Sequence, residues 1–331
     1  MRRITIIVAA LVLIGVLPAM SIAADDDQLG QLIALDVKGQ QLVRGLHFIE
    51  GPVWSDDGGG YLIFSDIPAN ELKKWDGKAL STFRTDTHGT NGNTRDREGR
   101  LVSCEHTSRR VTRTKDDGTV EVLVDRYDNC RFNSPNDVIV KSDGTVWFTD
   151  PTYGLPKDEK KELPANFVFC FDPETKYLKA YPLNFDQPNG LCFSPDEKTL
   201  YIADSGKPHH IRSFDVSPLI EAGYLKPDGR AGTTIPKPGQ WQLSNDHIFA
   251  VIDKGVPDGI RCDERGNVWS SAGDGVHIFA PTGRRIGRIT VAESPANLCF
   301  GGPDGTTLFM TARTSLYSIQ TLVHGAPRPK E

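Results

Sequence analysis

NDVIVKSDGTVWFTD, residues 136–150, is the stretch on which the fold turns. A polar residue opens it. A short apolar run follows, Val138 to Val140, then a Ser-Asp-Gly turn, then a second run, Val146-Trp147-Phe148. Two short apolar runs joined by turn chemistry are a β-hairpin signal. The same grammar recurs as EGPVWSDDGGGYLIFSD from Glu50, NGNTRDREGRLVSCEH from Asn91, NGLCFSPDEKTLYIADS from Asn189, DGIRCDERGNVWSSAG from Asp258 and ANLCFGGPDGTTLFMTA from Ala296. Further apolar runs lie at 71–75, 167–171, 211–214, 276–279 and 315–319, and a fourth run follows in places, as at 285–289.

Six such units, each of about four strands and recurring every roughly forty to seventy residues, predict an all-β chain folded as a six-bladed β-propeller. A β-sandwich has fewer strands and no reason for six-fold repetition. The last unit runs short after Ile319, and Ile33 to Val37 is predicted to supply its missing outer strand, closing the ring and removing a sheet edge. The longest interval separates Asn189 from Asp258, and its Pro- and Gly-rich stretch, Ser217 to Gln240, is expected as a surface loop or a short extra element.

Composition agrees. The 32 Gly and 22 Pro of the 331 residues call for many tight turns, and a charged fraction of 24% suits a globular domain. A net charge of -5 gives no basic surface for nucleic acid. At the N-terminus, Arg2 and Arg3 precede an apolar run from Ile4 to Leu17, then Pro18 and the small residues Ser21-Ile22-Ala23-Ala24. This is the pattern of a signal peptide over 1–23, with cleavage after Ala23 or Ala24. The mature chain, 24–331, is then a single exported propeller domain, periplasmic or extracellular, with no membrane association. Six cysteines leave disulfide pairing open, Cys104 with Cys130 included. Cys192, Cys262 and Cys299 sit in apolar strands and read as buried thiols.

In a propeller the first strand of each blade lines the central channel. The residues opening the repeats, Glu50, Asn91, Asn136, Asn189, Asp258 and Ala296, therefore form one ring. Carboxylate and amide oxygens converging on an axis are a donor set for a hard dication. Each Asn-Gly or Asp-Gly pair, taken singly, is also ordinary turn chemistry. No nucleotide-binding loop and no G-x-S-x-G nucleophile elbow occur.

The segments around Glu50, NSPNDVIVKSDGTVWFTDPTYG, QPNGLCFSPDEKTLYIADS and PDGIRCDERGNVW resemble the gluconolactonase/senescence marker protein 30 (regucalcin) family, from about Leu42 to Ile319. The resemblance implies a six-bladed propeller with one divalent cation in its channel, held by Glu50, Asn136, Asn189 and Asp258. Oxygen ligands favour Ca²⁺, with Mg²⁺, Mn²⁺ or Zn²⁺ as alternatives. The activity implied is hydrolysis of a sugar lactone, in which the cation polarises the carbonyl and Asp258, as ligand and base or as ligand only, assists water attack. Asn91, Asn136, His106 and Arg131 are the substrate-binding candidates; for His106 a packing role, and for Arg131 a solvated loop position, are the alternatives. The rival functions are a phosphotriesterase-like or aryl-ester hydrolase at the same site, and a non-catalytic binding propeller with a structural metal.

Overall fold

The computed structural model describes residues 21–24, 28–34, 37, 39–220 and 236–327, with backbone alone for 21–24, 219–220 and 236–238. The expected leader, apart from Ser21 to Ala23, lies outside the described residues.

Hairpins form where the repeats placed them. In the 136–150 unit, Val138–Val140 pairs antiparallel with Val146–Asp150. The turn between them is set by Asp143, whose carboxylate accepts the Thr145 N–H at 3.0 Å, and by Gly144 at φ 89°. Asp263 repeats the device, accepting the Arg265 and Asn267 N–H groups at 2.9 Å each. A short side chain that holds the backbone two residues on is what makes Asp a turn former.

Among the described residues six antiparallel blade sheets result, and a two-stranded ribbon, Arg126–Tyr127 with Cys130–Arg131, lies between blades 2 and 3 in the chain. Blade 1 comprises Ile49–Ser55, Tyr61–Asp66, Glu71–Trp75 and Leu80–Thr85; blade 2 comprises Thr90–Arg95, Leu101–Glu105, Arg110–Thr114 and Val120–Val124. Blade 3 holds Val138–Val140, Val146–Asp150, Phe167–Phe171 and Leu178–Tyr181, and blade 4 holds Pro188–Phe193, Thr199–Asp204, His210–Ile220 and Pro236–Val251. Blade 5 runs Ile260–Cys262, Val268–Ala272, Gly275–Phe279 and Arg285–Thr290; blade 6 runs Asn297–Gly301, Thr307–Ala312 and Ser315–Gln320. The first strands of successive blades touch one another, and that of blade 6 touches that of blade 1, so the ring is closed.

Faces of neighbouring blades are welded by apolar layers. Between blades 3 and 4, Trp147, Val168 and Tyr181 pack with Leu191, Ile202 and Phe214. Burying a side chain of this size contributes about 1.5–3 kcal/mol, so each interface is a core in its own right.

Closure differs from expectation in one detail. The outer strand of blade 6 is Gln40–Val43, paired with Ser315–Gln320, and not residues 33–37. Leu29–Gln31 forms a short 3-10 turn, and Leu29, Leu32 and Ile33 are buried between Trp269 and Ile289 of blade 5 and Leu298 and Met310 of blade 6. An apolar run need not be a strand; these side chains plug the gap between two blades, while Gln40–Val43, with Gln40 and Gln41 exposed and Leu42 and Val43 half-buried, takes the solvent-side edge. Leu35 and Asp36 lie outside the described residues. Backbone 21–24 adds a fifth strand to blade 5, against Arg285–Thr290. The stretch expected as a loop within 217–240 is flanked instead by long paired strands, with 221–235 outside the described residues. No disulfide joins any of the six cysteines; Cys104 is buried, and the Cys192 and Cys262 sulfurs lie 3.8 Å apart.

The glycines after the ring residues set how tightly the blades meet. A methyl group at Gly190 stands 2.2 Å from the Asp258 carbonyl oxygen, and one at Gly92 stands 2.5 Å from that of Asn136. Both positions have backbone rather than a flexible side chain as the obstacle, so Gly190→Ala is expected to destabilise the fold by about 2 kcal/mol. Denaturant unfolding measures this, and an unshifted midpoint counts against the close approach.

Candidate active site in the central channel

The ring residues are held in register by hydrogen bonds from the preceding blade. Ser65 Oγ donates to the Asn91 carbonyl (2.7 Å), Gly92 N–H to that of Asn136 (2.8 Å) and Thr149 Oγ1 to that of Asn189 (2.8 Å). Gly190 N–H donates to the Asp258 carbonyl (3.2 Å), and Gly259 N–H to that of Ala296 (2.8 Å). Each of these backbone oxygens is thereby fixed, and the side chain beside it is aimed at the axis.

Glu50, Asn91, Asn136 and Asn189 are all buried. Asp258 keeps partial exposure as a residue, although its Oδ1 is sealed from solvent. The Asn189 amide hydrogen-bonds the Asp258 carboxylate, and Glu50 is close enough to act on it electrostatically. Burial, reinforced by the charges of Glu50 and Asp137, holds the Asp258 carboxyl well above the usual range. Burial also raises Glu50, against the Gly51 N–H, which donates to it at 2.7 Å. Two carboxyls pushed upward together mark a place where negative charge lacks a counter-charge.

Three of these amide and carboxylate oxygens have no hydrogen-bond partner among the described residues. Asn91 Oδ1, Asn189 Oδ1 and Asp258 Oδ1 are buried without a hydrogen bond. Buried acceptors are normally paired, so unpaired ones on a common axis fit the donor set of a hard cation. Among the described residues no three His, Cys, Asp or Glu side chains form a ligand group. A cation here would have to be held by two carboxylates and by amide oxygens, a set that residue types usually associated with metals do not reveal.

His106 joins the ring through Asn91, Nε2 lying 3.2 Å from Asn91 Nδ2. Burial pushes its imidazole down to about 4, so it is neutral at neutral pH. Arg131 is not brought to the ring. Its guanidinium is engaged by Glu159 (2.5 Å) and Glu162 (2.9 Å), which also hold the buried Arg109. Two carboxylates occupy the donors a substrate needs, and Arg131 braces the 156–166 loop instead.

Two further residues belong to the site. Asp137 and Asn297 follow the ring residues of blades 3 and 6, in the slot that is glycine in the other four blades, at Gly51, Gly92, Gly190 and Gly259. Asn297 hydrogen-bonds Glu50, which fills the gap left by Ala296. Asp137 takes the Arg261 guanidinium at 3.2 Å. The slot itself carried the signal: two polar residues in a column of glycines. A cavity of about 590 Å³ lies beyond Arg261, lined by Val53, Thr94, Ile139, Cys192 and Cys299, three residues further along the inner strands than the ring. It is the opposite end of the channel and contains no ring residue.

Fold and site together define a six-bladed propeller with an oxygen-lined site on its axis. The chain belongs to the family described as SMP-30/gluconolactonase/LRE-like region, which it matches over residues 48–314. A gluconolactonase of Zymomonas mobilis is 33% identical over 308 residues, 86% of this chain and 81% of that protein. Regucalcin of Xenopus laevis is 26% identical, covering 80% and 82%. The structure of a gluconolactonase from Xanthomonas campestris superimposes with a TM-score of 0.80 at 31% identity, over 92% of this chain and 97% of that one.

Because its charge is already satisfied, Arg131→Ala is expected to change kcat/KM less than about threefold while lowering the melting temperature. A tenfold rise in KM alone, with an unchanged melt, contradicts the brace assignment.

Proposed function

We propose that this protein is a cation-dependent lactonase acting on sugar lactones such as gluconolactone. One observation carries the proposal: buried, unpaired oxygens of Asn189 and Asp258 meet beside Glu50 on the axis of a gluconolactonase-family propeller. The family and its gluconolactonase relatives support hydrolysis of a lactone. The donor chemistry supports the metal.

Glu50, Asn136, Asn189 and Asp258 are the residues that hold the cation, and their hard oxygens favour Ca²⁺ over Mg²⁺, Mn²⁺ or Zn²⁺. When bound, such an ion supplies Lewis-acid polarisation of the lactone carbonyl and acidifies a bound water. Asp258 is the most exposed of the four. It takes the proton of the attacking water, with Asn189 holding the carboxylate in orientation. Glu50 supplies the second negative charge, steadied by Asn297 and the Gly51 N–H. Neutral His106 and Asn91 bind substrate hydroxyls beside it.

Chelation of the purified protein is expected to lower gluconolactone turnover at least about 100-fold, with recovery on adding back Ca²⁺ or another divalent ion. Proton release follows the reaction. A cation-restored protein that hydrolyses no lactone, but cleaves aryl esters or phosphotriesters, shifts the assignment to that chemistry; one that hydrolyses none of them is a binding propeller. Asp258→Asn keeps an oxygen donor, so it is expected to bind the cation within about tenfold of wild type yet lose at least about 1,000-fold in kcat, as Asp258→Ala does. Turnover retained in both variants removes Asp258 from the chemistry.

The leader pattern of residues 1–23 supports export. Cleavage after Ala23 or Ala24 takes away the fifth strand of blade 5 and leaves four. N-terminal sequencing of protein recovered from outside the cytoplasm is expected to begin at Ala24 or Asp25; an intact Met1 there rules out cleavage.

A further inference from the structure

A short arch, Pro151 to Leu155, leaves the second strand of blade 3 beside the ring. It is built to be rigid. Asp150, fully buried, accepts the N–H groups of Asn133 and Ser134 at 2.8 Å each. Ser134 Oγ donates to the Pro151 carbonyl (2.6 Å) and accepts the Gly154 N–H (3.0 Å). Thr152 is held by Gln187 at the root of blade 4, through its N–H to Oε1 at 3.1 Å.

The arch spans the two halves of the site. On one flank, Gly154 lies flat against the His106 imidazole, where a methyl group stands 2.1 Å from Cγ. On the other, the Tyr153 phenol hydrogen-bonds Ser205, whose Oγ donates to the carbonyl of Pro257, the residue before Asp258. Burial of the phenol, with Asp258 among the nearby charges, pushes Tyr153 up to about 12, so the hydroxyl stays protonated. Yet Tyr153 as a residue is 51% exposed. An aromatic ring anchored through its hydroxyl, braced by a fixed backbone and half open to solvent on the Asp258 flank of the arch, makes no ring-stacking or cation–π contact among the described residues.

We propose that Tyr153 is the platform on which the ring of a polyhydroxylated lactone rests, and that it sets the preference for such substrates over small unsubstituted lactones. The proposal builds on the lactonase assignment above. An aromatic face packs against the C–H face of a sugar ring, while the bonded hydroxyl keeps the plane from rotating. A lactone without ring hydroxyls or an extended tail presents its carbonyl at the metal-binding ring and little else to the platform. Tyr153 is thus a specificity-determining residue, separate from Asp258 and the residues that hold the cation.

The test compares D-glucono-1,5-lactone with γ-butyrolactone in the cation-loaded wild type, Tyr153→Phe and Tyr153→Ala, with thermal melts confirming that all three fold. Tyr153→Ala is expected to raise KM for the gluconolactone about tenfold, to change kcat less than about threefold, and to lower the preference for it over γ-butyrolactone about tenfold. Tyr153→Phe retains the aromatic face and is expected to keep the preference within about threefold. An unaltered preference in Tyr153→Ala, with wild-type turnover intact, overturns the platform and leaves the lactonase assignment standing. Equal losses in Tyr153→Phe and Tyr153→Ala also overturn it, since they place the effect in the Ser205 bond. A wild type that hydrolyses neither lactone brings down the lactonase assignment and the platform with it.

Discussion

The close approach of the inner strands at the channel axis is the constraint on which the rest of the structure depends. Gly92 and Gly190 bring their backbone N–H groups within 2.8 and 3.2 Å of carbonyls on the next blade, where any side chain meets that same oxygen. Hydroxyls on second strands, Ser65, Thr149 and Ser271, add a second set of bonds to the same ring of carbonyls. Each hydrogen bond contributes about 1 kcal/mol. Their larger effect is geometric: they force the opening residue of each blade to one height and aim its side chain inward.

That geometry concentrates polar groups where solvent is scarce. Burying Glu50 and Asp258 together raises both carboxyls, and leaving Asn91, Asn189 and Asp258 oxygens unpaired costs stability that an apolar channel does not incur. Such a cluster fits the proposed cation, whose charge and hard-oxygen preference would match it. The apolar layers between blades, such as Trp147 with Leu191 and Ile202, supply the stability against which this strained axis is held. The Arg261–Asp137 pair, one layer along, separates the site from the cavity at the other end of the channel.

Much of the architecture was legible in the repeats. Six hairpins in one grammar predicted six blades, and the hairpin boundaries followed from Asp and Gly at the turns. The glycine that follows four of the six ring residues was ambiguous between turn chemistry and something else; in the structure Gly92, Gly190 and Gly259 lie at the start of the inner strands, next to the facing blade, rather than in the hairpin turns. The closing strand was placed six to seven residues too early, because Leu32 and Ile33 are apolar for packing between blades and the true edge strand opens with two exposed glutamines. Hydrophobicity reports burial, and an outermost strand is the one least buried.

By itself the sequence determined the repeat, and through it which residues share the ring, because strand alternation and turn chemistry are local. What only the tertiary structure decided are contacts across blades. Asn297 reaches Glu50 some 250 residues away in the chain. Arg131 is held by Glu159 and Glu162, and Tyr153 is carried by its arch to the flank of Asp258. No local pattern encodes such pairs; they arise when ring closure brings together segments that the chain keeps far apart.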